Sequence, residues 1–137
     1  MHRNGLQIDP AYQDTFEGLL SFSGFSQTEE TLKHLENLYQ QYLLMRDKKG
    51  MDYCRQIASL GRRRAELIGR NKHVSSQKRL QKQEIAAWFK IWLETPEIFW
   101  DWLALRKNTV EFQRLLESEN IGKAKSGERH AAGSKKP

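Results

Sequence analysis

Cysteine, proline, long apolar runs and catalytic motifs are all scarce in this chain, and each scarcity removes a class of explanation. The one cysteine, Cys54, has no partner for an internal disulfide. The 137 residues must therefore be held by packing, and a reducing, cytoplasmic setting is expected. The longest apolar-rich stretch, Ile85 to Leu105, is interrupted by Lys90, Glu94, Pro96, Glu97 and Asp101. A membrane span needs about 20 largely uncharged apolar residues, so no transmembrane segment is expected. No charged start leads into an apolar leader core, which argues against secretion.

Motifs of enzymes are missing as well. There is no Cys-x-x-Cys, no His-Glu-x-x-His and no glycine-rich phosphate loop. Of the four histidines, His2 and His130 lie near the ends, His73 sits in a linker, and only His34 lies on a strong helix. His34 and Glu30 have metal-compatible spacing, but two ligands do not make a site that needs three or four. Cys54 beside basic residues suggests an activated thiol, but a small side chain at the edge of an apolar arc is the preferred reading. No nucleophile, base and oxyanion donor come together, so no catalytic residue, metal or cofactor is assigned and a non-enzymatic protein is expected.

What is present is positive charge, and it is concentrated. Residues 46–82 carry 12 Lys or Arg against three acids, a local net charge of +9 in a chain whose total is +6. All four tryptophans follow at once, between Trp88 and Trp102. A basic, one-sided surface points to a polyanionic partner.

Hydrophobic periodicity organises the chain into helices. Asp9-Pro10 is a start signal for a short N-terminal helix reaching Leu20, with Tyr12, Phe16, Leu19 and Leu20 on one face. Ser26-x-x-Glu29 has the form of a capping box, opening a helix over 28–46 whose apolar stripe is Leu32, Leu35, Leu38, Tyr39, Tyr42 and Leu43. A second helix is expected over 51–70, with Tyr53, Ile57, Leu60, Leu67 and Ile68 inward and Gly61 permitting a close neighbour. Ser75 or Ser76 caps a third over 76–94, polar in its first half and apolar nearly all round in its second. Thr95-Pro96-Glu97 opens a fourth over 96–117, loosened near Asn108-Thr109. The expected architecture is all-α: an N-terminal segment 1–27, a four-helix bundle domain 28–117, and a disordered basic tail 118–137.

Two surfaces compete as the functional one. The first is a basic face of Arg55, Arg62, Arg63, Arg70, Lys72, Lys78, Arg79 and Lys82, suited to RNA or DNA phosphates without sequence specificity. A helix-turn-helix is rejected, because Ala58 to Gly61 is one residue too short and the helical phase runs on through Ile68. The second is the Trp-rich helix pair, acting as a protein-interaction or homo-oligomer surface. Trp100 projects off the Ile98/Trp102/Leu105 stripe, and Arg64 falls inside an apolar arc where it must snorkel or meet an anion. These two are the candidate partner-binding residues. Membrane-surface binding ranks last, because the third helix does not separate an apolar face from a charged one.

Overall fold

Apolar side chains spaced three and four apart draw out three long helices, and two tight turns fold them back on each other. The computed structural model describes residues 2–3, 6–17, 19 and 24–119. Its helices are α1 Pro10–Phe16, α2 Phe25–Leu44, α3 Lys48–Gly69, α4 Ser76–Glu94 and α5 Pro96–Lys107. A further helix, α6, covers 110–119. Two-residue strands β1 His2–Arg3 and β2 Leu6–Gln7 pair antiparallel. The all-α expectation holds. Residues 120–137, most of the expected tail, lie outside the described residues, whereas Ser118 and Glu119 belong to α6. The chain forms two contact units, Met1–Phe99 and Trp100–Pro137.

In the first unit α2 begins at Phe25, three residues before its expected start at 28 and with Gly24 rather than Ser26 as its cap. The Thr28 hydroxyl donates to the Gly24 carbonyl at 2.7 Å. Early entry places Phe25 in the core, its ring 5.4 Å from that of Trp88. Burying a phenyl group is worth about 1.5–3 kcal/mol, against about 1 kcal/mol for a serine cap. The aromatic contact wins.

α2 ends at Leu44, short of the expected Arg46. The Asp47 N–H donates to the Tyr42 carbonyl at 2.8 Å and the Arg46 N–H to the Leu43 carbonyl at 3.1 Å, the paired bonds of a Schellman turn. Arg46 occupies its left-handed position with φ 57°. Asp47 then caps α3, accepting from the Gly50 N–H at 3.0 Å, so α3 starts three residues before the expected Met51. The same carboxylate accepts the Tyr12 hydroxyl at 2.8 Å. α1 is thereby clamped over the turn, with Phe16 and Tyr12 packed among the rings of Tyr42 and Tyr53. Asp9 does not cap α1 through its side chain. It pairs with Lys49, while its N–H donates to the Tyr53 hydroxyl. α1 stops at Phe16, and Leu20 lies outside the described residues.

α3 and α4 form the closest helix pair. A Cβ on Gly61 would stand 2.7 Å from Phe89 Cζ, so the ring lies directly on the α3 backbone. Towards the turn, Gln83 Nε2 donates to the Gly69 carbonyl at 2.8 Å. The two contacts establish an antiparallel register. Trp88, Phe89 and Ile85 of α4 are fully buried against it. Ser75 caps α4, accepting from the Lys78 N–H at 3.2 Å, as expected. Thr95 is used differently from the expectation: its hydroxyl donates back to the Ile91 carbonyl at the end of α4.

In the second unit the expected single helix is broken in two. The Thr109 hydroxyl donates to the Arg106 carbonyl at 2.7 Å and accepts the Phe112 N–H at 3.2 Å, capping α6. Leu103 and Phe112 are buried.

Two substitutions probe these constraints. Arg46→Gly removes a left-handed strain of about 1 kcal/mol, offset in part by greater unfolded-state entropy. A net gain of a few tenths of a kcal/mol or more is expected in chemical denaturation. Gly61→Ala overpacks the Phe89 contact and should cost about 1–3 kcal/mol. The Gly61→Ala/Phe89→Leu double variant should recover part of that loss in a double-mutant cycle.

Candidate nucleic-acid interface

The α3–α4 turn gathers cations from both helix ends. Arg70 caps α3, Lys72 lies in the turn, and Lys78 and Arg79 stand in the first turn of α4, which holds no acid. Arg63, Arg70, Lys72 and Lys78 are exposed, and Arg62 and Arg79 are half-buried. Across residues 62–82 there is one acid, Glu66. It is engaged by Arg62, whose Nε donates to Glu66 Oε2 at 3.0 Å, the pairing expected from their spacing.

Helix electrostatics separates these cations into two kinds. Arg70 and Lys72 follow the negative end of α3, where positive charge is stabilising by about 0.3–1 kcal/mol. Lys78 and Arg79 sit at the positive end of α4, where the same interaction is unfavourable. No neighbouring carboxylate compensates them in an ion pair among the described residues. The Arg79 Nε is enclosed by protein and has no hydrogen-bond partner.

Register corrects the membership of the basic face. Lys82 is buried at 6% exposure, on the inward side of α4 with Ile85 and Phe89, three and seven residues on. Its polar name disguised an inward position, and it is not available to a partner. Arg55 is exposed but lies about 22 Å along α3 from Arg70, at 1.5 Å per residue. There it lines a separate cleft with Glu36, Trp92 and Glu97. Lys90 was missed. It is exposed and stands seven residues after Gln83, as Arg62 stands seven before Gly69. Arg62 follows Gly61 and Lys90 follows Phe89, so the two stand near the same level of the antiparallel pair. The heptad offset between the two helices was the signal that would have found it.

The tryptophans are largely spent on the core. Trp88 and Trp92 are buried, Trp100 and Trp102 are half-buried, and none of the four is exposed. The Trp88 indole N–H donates to Glu84 Oε2 and that of Trp92 to Glu36 Oε1, both at 2.9 Å. Arg64 and Trp100 are both half-buried and both engaged within the fold, so neither stands as a free anchor for a partner. Among the described residues no three His, Cys, Asp or Glu side chains gather as a metal site. No helix among them is long and apolar enough to cross a membrane. Compared with protein-family models, curated proteins and solved structures, the chain matches none.

Cys54 is fully buried, and desolvation pushes its thiol from 9.0 up to about 12. Because ionisation is disfavoured only in the folded state, this group's contribution to stability is complete below pH 9.0 and falls as pH rises towards about 12. A thiol-specific reagent at pH 8 should leave the native protein unmodified and label one equivalent in denaturant, as read by absorbance.

Proposed function

We propose that this chain is a non-enzymatic binding protein that holds nucleic acid by its phosphates, through Arg70, Lys72, Lys78 and Arg79 at the α3–α4 turn and Arg62 and Arg63 farther back on α3. One observation carries the reading: Lys78 and Arg79 are placed against the dipole of α4 without an acid to compensate them. A phosphate supplies that compensation, and the arginine fork suits it better than an ammonium group does. Residues 62–82 contain no Phe, Tyr or Trp, so the face offers charge without a stacking platform. That composition suits backbone contact without sequence readout. The single buried thiol suits a reducing, cytoplasmic location.

Fluorescence anisotropy with a labelled 20-base-pair duplex, a length chosen as about two helical turns, tests this. With five unpaired cations engaged, log K against log salt should fall with a slope of about −3 to −5. Between about 50 and 200 mM salt the affinity should drop on the order of 10²-fold. Lys78→Ala/Arg79→Ala should weaken binding and reduce the slope by about 1–2, while thermal stability holds or rises because the dipole clash is relieved. Affinity that does not change with salt, or equal loss of binding and stability in the double variant, overturns the proposal.

A further inference from the structure

The far end of the α3–α4 pair carries a second feature, independent of the basic turn. A cleft of about 160 Å³ opens between α2, α3, α4 and the start of α5. Tyr39, Trp92 and Pro96 supply apolar lining, and Glu36, Arg55 and Glu97 bring charge. Pockets for drug-sized ligands run to about 300–1,000 Å³, so this one admits only a small molecule.

Its charges are arranged in two layers. Glu36 belongs to the wall, with one carboxylate oxygen accepting the Trp92 indole N–H at 2.9 Å and the other accepting the Gln40 amide at 3.2 Å. Arg55 and Glu97 are exposed. Arg55 comes from α3 and Glu97 from the first turn of α5, and both line the same cleft. They do not pair with each other, nor with any other charged group among the described residues. A cation and an anion thus stand apart over apolar lining whose indole, Trp92, is 3% exposed.

We propose that this cleft binds a free α-amino acid with an apolar side chain of about leucine size. The carboxylate would meet Arg55, the ammonium group Glu97, and the side chain the Tyr39, Trp92 and Pro96 lining. Each alternative leaves a rim charge unmet. An amine alone leaves Arg55 unmet, a carboxylate alone leaves Glu97 unmet, and a neutral apolar molecule satisfies neither rim group. A head group carrying both charges on one carbon satisfies both.

Titration calorimetry with L-leucine, isoamylamine and 4-methylpentanoate tests the assignment, with the Trp92 indole N–H followed by NMR to locate the ligand. Leucine should bind saturably with Kd of about 1 mM or tighter. Each single-charge analogue should bind at least about 10-fold more weakly, as expected for loss of one charge-assisted contact. Arg55→Ala should erase the preference for leucine over isoamylamine, and Glu97→Gln the preference over 4-methylpentanoate. Both side chains are exposed, so circular dichroism should show both variants folded. Equal binding of all three compounds overturns the proposal, as does the lack of any saturable shift at Trp92 up to about 20 mM, a concentration well above millimolar affinity.

Discussion

The contact between Gly61 and the ring of Phe89 is the constraint on which the rest of the first unit depends. A side chain at 61 would occupy the space of the ring, so its absence lets α4 lie directly on the α3 backbone. That approach holds the antiparallel register, and the register then decides which residues share a level along the pair. Gln83 reaches the Gly69 carbonyl, and Arg62 and Lys90 each follow the contact residue of their own helix. It also turns Trp88 towards Phe25 of α2. With the aromatic mass drawn inward, what remains outside at the turn is charge together with the exposed side chains of Leu67 and Leu80.

Burying indoles creates a polar obligation, because each indole carries one N–H. An unsatisfied buried donor costs about 1–3 kcal/mol. Glu84 and Glu36 meet it as acceptors for Trp88 and Trp92. Glu84 is therefore buried for a reason internal to the core, one helical turn before the indole it serves. Glu36 does the same from a different helix, linking α2 to α4 across 56 residues of sequence. Because it also lines the cleft, its packing role and its place in the cleft are inseparable.

Much of the architecture was legible from periodicity and punctuation. Ser75 caps α4 as its sequence suggests, Arg62 pairs with Glu66, and Gly61 permits the close approach its position on the apolar arc implied. What escaped the sequence has identifiable causes. Phe25 pulls α2 back past its capping box because a tertiary aromatic contact outweighs a local hydroxyl bond. Arg46 takes a left-handed turn position that glycine normally fills, so no composition signal marked the true end of α2. Thr109 caps α6, although Asn108-Thr109 hinted only at loosening. The basic face was legible as a concentration of charge but not as a surface. Lys82 faces inward, Arg55 belongs to the other end, and Lys90 joins only when two helices are placed side by side.

The two ends of the α3–α4 pair differ in electrostatic character. At the turn the cations outnumber the single acid and two of them oppose the dipole of α4. Midway, Arg62 is partly neutralised by Glu66. At the cleft, Arg55 faces Glu36 and Glu97, and the charge is mixed. The ends lie about 22 Å apart along α3, more than twice the Debye length of about 8 Å at physiological ionic strength. Charge bound at one end is therefore largely screened from the other. Any coupling between them has to pass through the helices themselves, along a path on which Phe89 rests directly on the bare backbone of Gly61.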